Sequence, residues 1–368
     1  MVPGIRRHFL HFDWITFLLA ATLSSIGLMF VYSATYSPEI PYSVFFKKQA
    51  FGIATGLIIY LICCFIDYRS LLRLGYLGYF GVVILLIYTI LKGHIGMGAQ
   101  RWIDLVFFKL QPSELAKLLF PAFIMYYLYA KKEELSFSFK EFIPILLVLG
   151  ASVLLIIKQP DLGTALILLF SSIMTLWLSG IPSKFFLFSF IFLGLSAPLS
   201  WHFLKEYQKK RIAVFLGYGD TKKERYQTEQ AKIAIGSGGL KGKGFLQGTQ
   251  NKFLFLPESR TDFIFAVLCE EWGFLGALAI ILLWAMLILR IFYCILSIKA
   301  PFLQLLALSI VMHIILSTII NIAMVVGLLP IVGIPLPLIS YGLSNLWVTF
   351  ASLGWFGSIA MRRFYIRQ

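Results

Sequence analysis

Ten apolar runs, most of them close to 20 residues, dictate what this chain can become. They fall near 13–33, 46–66, 72–91, 113–130, 142–157, 162–179, 184–204, 263–290, 302–326 and 338–360. A helix needs about 20 apolar residues to cross the hydrocarbon of a bilayer. Inside lipid, every backbone polar group must be satisfied within the spanning element. The expectation is an all-α, polytopic membrane protein of about ten transmembrane helices. Only 13% of the 368 residues are charged, against about 25% in a soluble domain, which excludes a soluble globular protein. The chain reads as a single membrane domain, 1–368, with one large loop, 205–261, between the seventh and eighth runs. Cys63, Cys64, Cys269 and Cys294 lie in or at the ends of apolar runs, where a thiol acts as a small hydrophobe rather than part of a disulfide framework.

An even number of spans puts both termini on one face. Short segments on that face carry thirteen Lys/Arg, and short segments on the other carry six. The 205–261 loop adds twelve more to the second face and would reverse the balance. At 57 residues it stands near the length, about 60, above which loop charge stops controlling topology. Setting it aside places both termini in the cytoplasm and the loop outside the cytoplasmic membrane.

That loop holds twelve Lys/Arg against five acids, a net +7 of the chain's +15. Attraction to anionic membrane lipids is one account. The other is a site for an anionic, phosphate-bearing substrate. Gly236, Gly238, Gly239, Gly242, Gly244 and Gly248 would let backbone N–H groups approach an anion, with Lys241 and Lys243 beside them. The spacing is not that of a nucleotide-binding P-loop, and an exported loop makes nucleic acid a poor partner.

Charges inside spans are costly and usually functional. Glu114 and Lys117 open the fourth run three residues apart, on one helical face, and the pair reads either as a self-neutralising structural bridge or as a substrate contact. Lys158 and Asp161 flank Gln159-Pro160, which interrupts the fifth and sixth runs; irregular backbone at membrane depth is tolerated where it is buried or lines a wet cavity. Glu270 and Glu271 stand about 12 Å along a helix from Asp262 and need partners, for which Lys117 is a candidate. His313 and Asn321 suit interhelical hydrogen bonds.

Asp262 follows the basic loop, lies two residues after Arg260, and precedes an apolar helix expected to begin at Phe263. An acid in the first turn of a helix is stabilised by the helix dipole without any further role. A carboxylate at the outer mouth of a span can also take a proton from an attacking hydroxyl, or hold a divalent cation against a phosphate. No His/Cys cluster offers a transition-metal site.

Five motifs then occur in order: Gly98-Ala99-Gln100-Arg101-Trp102-Ile103, Gln111-Pro112-Ser113-Glu114, Gln159-Pro160-Asp161-Leu162-Gly163-Thr164, the run from Leu256 to Glu271, and Pro335 to Gly342. In this order they resemble the SEDS family (shape, elongation, division and sporulation), which includes RodA and FtsW, over essentially the whole chain. The absence of long terminal extensions is more similar to RodA. One position departs: the family's Ser-Tyr-Gly-Gly here reads Ser340-Tyr341-Gly342-Leu343, a bulky side chain where glycine permits close approach or positive φ.

The resemblance implies a glycosyltransferase that polymerises lipid II, a disaccharide-pentapeptide on undecaprenyl pyrophosphate, during cell elongation. It also implies a class B penicillin-binding protein as crosslinking partner. By match to the family motifs Asp262 is the essential acid, while Trp102, Glu114, Lys117 and Asp161 line or support a central cavity. Arg101, Lys158, Lys243, Arg260 and Ser340 join them as candidate substrate-binding residues. Asp262 is also the candidate ligand of a divalent cation, Mg²⁺ or Mn²⁺. A lipid II flippase or other lipid-linked transporter would use the same polar cavity, basic rim and broken helices, and a non-catalytic scaffold is a third reading.

Overall fold

A computed structural model describes residues 11–96, 99–105, 108–131, 139–187, 191, 209, 213, 222–253 and 255–363. The protein is mostly helical. In chain order the elements are α1 (Trp14–Thr35), α2 (Val44–Phe65), α3 (Tyr68–Lys92), β1 (His94–Gly96), β2 (Ala99–Asp104), β3 (Lys109–Leu110), α4 (Pro112–Lys131), α5 (Phe139–Lys158), α6 (Leu162–Leu178), α7 (Lys222–Ser237), α8 (Thr249–Lys252), α9 (Ile264–Leu296), α10 (Pro301–Val325) and α11 (Leu343–Arg362).

Six of these, α1, α2, α3, α5, α9 and α10, are long and apolar enough to cross a membrane; α6 is apolar but shorter. The helices α4 and α11 coincide with the fourth and tenth apolar runs. Residues 183–187 are helical where the seventh run, 184–204, begins; the rest of that run lies outside the described residues apart from residue 191. The glycine-rich segment and α7 fall within the 205–261 loop, whose earlier part is likewise outside them apart from residues 209 and 213.

Local chemistry sets the helix ends. Asp13, Ser43, Asp67 and Asp161 N-cap α1, α2, α3 and α6, each accepting from a first-turn backbone N–H. Pro301 starts α10, where its missing N–H costs nothing. Helices α2 and α11 pack through small residues: a side chain on Gly56 would collide with Phe350, and one on Gly354 with the carbonyl of Tyr60. Close approach of this kind is how helices associate in lipid, where apolar burial drives little.

Two expectations change here. The fold is not purely α: β1, β2 and β3 form an antiparallel sheet in that order between α3 and α4. Leu343 does not occupy a glycine-only conformation. It is the first residue of α11 and packs into the space left by Gly52, so a methyl-rich side chain is accommodated by a missing one across the interface.

Candidate functional site

Asp262 sits in the turn before α9 and is half-buried. Three consecutive carbonyls hold that turn in place. Arg260 O accepts from Tyr341 N at 2.9 Å. Thr261 O accepts from Ser340 Oγ at 2.6 Å. Asp262 O accepts from Asn321 Nδ2 at 3.0 Å, and the same amide reaches Ile334 O at 2.7 Å. The donors belong to α10 and to the segment before α11, so residues far apart in sequence fix one turn. Ser340 Oγ in turn accepts from Leu336 N at 2.8 Å. Gln49 Nε2 of α2 donates to Ser340 O at 3.2 Å. The Arg260 guanidinium lies 4.0 Å from the Phe45 ring centroid, a cation–π contact, and Tyr341 packs edge-on against the same ring.

A second polar cluster surrounds Asp161. Its carboxylate accepts from Gln111 Nε2 at 2.7 Å and Ser113 Oγ at 3.2 Å, and caps Thr164 N at 3.3 Å. Arg101 Nη1 lies 3.8 Å away. The same guanidinium donates to the carbonyls of Gln159 and Pro160, which closes the broken connection between α5 and α6. Trp102, its neighbour on β2, pairs with His94 and is half-buried. The i,i+3 pair forms in α4: Lys117 Nζ to Glu114 Oε1, 2.8 Å, with both side chains buried. Asn345 Nδ2 of α11 donates to Glu114 Oε2 at 3.0 Å. Beside them His313 and Ser352 share a 2.8 Å hydrogen bond between α10 and α11.

The two clusters meet across residues 332–334. A Cβ on Gly163, two residues after Asp161, would lie 2.7 Å from Val332 O. A Cβ on Gly333 would lie 3.4 Å from Asp262 Oδ2. Gly333 has φ +75°, a conformation that favours glycine. The thin segment thus separates the first turn of α6 from Asp262.

Two readings are corrected here. Lys117 is not the partner of the α9 acids. Glu270 takes Lys243 Nζ at 2.6 Å, Thr249 Oγ1 at 2.9 Å, and the backbone N–H groups of Thr249 and Gln250 at 2.8 and 3.1 Å. Glu271 accepts from Ser33 Oγ. The glycine N–H groups do not form an open cradle for an outside anion either. Helix α9 is broken at Gly273, φ +67°, and the loop docks into the break. Lys243 N donates to Glu270 O at 3.0 Å, and Gly244 N to Glu271 O at 2.9 Å. The glycines are needed because Cβ atoms on Gly238, Gly242 or Gly273 would strike the facing backbone. Lys243 is therefore placed in the loop's own anchor. Lys158 is exposed in the last turn of α5, where it complements the helix dipole.

Sequence reasoning passed over Gln49 and Asn345. Gln49 is a fully buried amide in an apolar span, and it follows Lys47-Lys48 so closely that it reads as part of a polar helix end. Also missed was Asp13, which takes Arg290 Nη2 at 2.8 Å from the far end of α9.

The family profile of cell cycle proteins that includes FtsW, RodA and SpoVE matches residues 13–364. Peptidoglycan glycosyltransferase MrdB of Helicobacter pylori (strain ATCC 700392 / 26695) is 37% identical over 352 residues, covering 95% of this chain and 89% of that protein. MrdB of Escherichia coli (strain K12) is 37% identical over 319 residues, covering 86% of each. Among solved structures, a chain from work on how a peptidoglycan synthase complex coordinates polymerization and crosslinking superposes with a TM-score of 0.79, 26% identity, and coverage of 96% of this chain and 98% of that one. The rod shape determining protein RodA of Thermus thermophilus gives 0.70 at the same identity and coverage. The chain belongs to the FtsW/RodA/SpoVE family of cell cycle proteins.

Proposed function

We propose that this chain is a peptidoglycan glycosyltransferase that polymerises lipid II into glycan strands for cell elongation, with Asp262 as its essential acid. The single observation that carries the assignment to Asp262 is the stitching of its turn. Carbonyls 260, 261 and 262 are each gripped by a separate donor, so the carboxylate is presented from a fixed backbone beside Arg260 and Gly333. In the reaction the acceptor hydroxyl attacks the sugar carbon bonded to pyrophosphate. The new C–O bond forms as the bond to phosphate breaks, and the proton passes to the Asp262 carboxylate. Arg260 supplies positive charge near the departing pyrophosphate. The Asp161 and Glu114–Lys117 networks brace the walls on the far side of residues 332–334.

Among the described residues no group of three or more His, Cys, Asp or Glu side chains forms a metal cage. One carboxylate with substrate phosphates is a donor set that suits Mg²⁺. In place of taking the proton, Asp262 would hold Mg²⁺ or Mn²⁺ jointly with the pyrophosphate, and the ion would stabilise charge on the leaving group.

We also place both termini in the cytoplasm and the ten-span path of the sequence across the cytoplasmic membrane. The partner is a class B penicillin-binding protein, and similarity to a chain of a peptidoglycan synthase complex supports that choice. The breaks at 159–161 and at Gly273 are also what a lipid-linked transporter would use. Purified chain, with and without its partner, is assayed on lipid II for glycan and, in vesicles, for translocation. Glycan formation is expected. Translocation with no glycan under any condition would favour the transporter.

A further inference from the structure

The uncharged part of α9 runs from Trp272 to Leu289, bounded by Glu271 and Arg290. At 1.5 Å per residue its 18 residues span about 27 Å, close to the roughly 30 Å of bilayer hydrocarbon. One hydrocarbon boundary therefore falls beside Gly273. Phe274 and Leu275, just inside it, are 58% and 56% exposed on the face that continues through Leu278, Ile281 and Leu282. The glycine turn is bonded to these residues: Phe274 N donates to Gly239 O at 2.8 Å and Leu275 N to Leu240 O at 3.2 Å. Leu240 lies at the same depth and is 70% exposed. Lys241, next to it, is exposed as well.

We propose that the Gly238–Gly244 turn is seated in the bilayer itself, with Leu240 among acyl chains of the leaflet at that boundary and Lys241 at its phosphate layer. Irregular backbone at this depth is tolerated where protein satisfies its polar groups, and much of the turn is bonded in this way. Gly242 N donates to Gly238 O, Lys243 N to Glu270 O and Gly244 N to Glu271 O, while Gly239 O and Leu240 O accept the N–H groups released by the break in α9. The occupant is lipid because the apolar patch is continuous with the exposed face of a membrane-spanning helix. A lysine beside it adds electrostatic attraction to anionic headgroups at the membrane surface. The turn then ties the depth of the loop to the bilayer and restrains the half-helix that begins after Asp262. This placement is independent of the catalytic reading.

The test uses the purified full chain in vesicles of phosphatidylglycerol and phosphatidylethanolamine. Nitroxide labels are placed at Leu240→Cys and Lys241→Cys, with Leu278→Cys as the lipid-facing reference and Lys252→Cys as the aqueous one. The unsubstituted chain, labelled in parallel, corrects for Cys63, Cys64, Cys269 and Cys294. Collision with oxygen should exceed collision with a water-soluble nickel chelate at 240, as at 278, and position 241 should lie between 240 and 252. A chelate-dominated signal at 240, as at 252, would overturn the proposal. A signal at 240 shielded from both reagents would overturn it in favour of a protein neighbour. Leu240→Asp gives a second reading: the oxygen preference of a label at 241 should fall, and no change there would also count against seating.

Discussion

Asp262 and Glu270 stand eight residues apart at the same end of α9, and they differ in burial and in the main-chain bonds around them. The Asp262 turn is fixed through its main chain, by the carbonyls of residues 260–262, and the side chain is half-exposed. Glu270 is fixed through its carboxylate, which collects Lys243, two donors from Thr249 and the N–H of Gln250, and it is fully buried. A carboxylate saturated by four donors in the interior serves the fold, because a buried charge must be compensated to be tolerated. An aspartate whose backbone is pinned keeps its position whether or not its carboxylate changes protonation, which suits a group that must accept and release a proton. Proximity to a basic, glycine-rich loop does not distinguish the two acids; the mode of attachment does.

The largest effect expected from this contrast is at Lys243. Lys243→Ala leaves the Glu270 charge buried without its cation, and breaking a buried pair costs about 3–5 kcal/mol. Folded yield and thermal stability in detergent should drop sharply, while Lys243→Arg should retain much of both. A stable, monodisperse Lys243→Ala protein would show that the loop is not anchored through Glu270. Asn321→Ala comes next. It leaves the carbonyls of Asp262 and Ile334 without their shared donor, for about 1–3 kcal/mol. Turnover on lipid II should fall in protein that still folds, because the turn loses one of its three grips. Activity equal to wild type would mean that two grips suffice.

The smallest effect concerns the opposite end of α9, where Asp13 pairs with Arg290. Burial pushes the Asp13 carboxyl up, but hydrogen bonds from Arg290 and Thr16 together with the Arg290 charge hold it below the ordinary carboxylate value. A depressed folded pKa means stability that is present above the unfolded value, about 3.9, and lost as pH falls through the folded one. Wild type should therefore lose stability at acid pH more steeply than Asp13→Asn, measured by thermal unfolding in detergent across that range. Parallel slopes would remove Asp13 from the acid response.

How much of this could be read from sequence follows from the range of the interactions. Most of the apolar runs, the Glu114–Lys117 spacing and the interruption at Gln159–Asp161 are local, and they are legible. The turn at Asp262 was legible as a position but not as a structure, because its three donors come from Asn321, Ser340 and Tyr341. The break at Gly273 was hidden inside an apolar run that reads as one straight span; the signal was a charged pair followed closely by glycine. The loop glycines are plain in the sequence, but the reason for them is not. They admit another backbone, not a phosphate. The strands β1 and β3 carry too few residues for an alternating pattern, and Asp13–Arg290 joins residues 277 apart, beyond any periodicity argument.

The central claim is that the Asp262 carboxylate performs chemistry while the α9 acids below it serve structure. The direct measurement is glycan synthesis from purified lipid II by wild type and Asp262→Asn, side by side with the partner present, with and without Mg²⁺ or Mn²⁺. Asp262→Asn keeps the side-chain shape and the backbone bonds of its turn. It should fold, reach the membrane and bind the partner as wild type does, and make no glycan under any condition. A role limited to the helix dipole would cost only about 0.3–1 kcal/mol of stability and leave synthesis largely intact. Comparable glycan from both proteins would contradict the account.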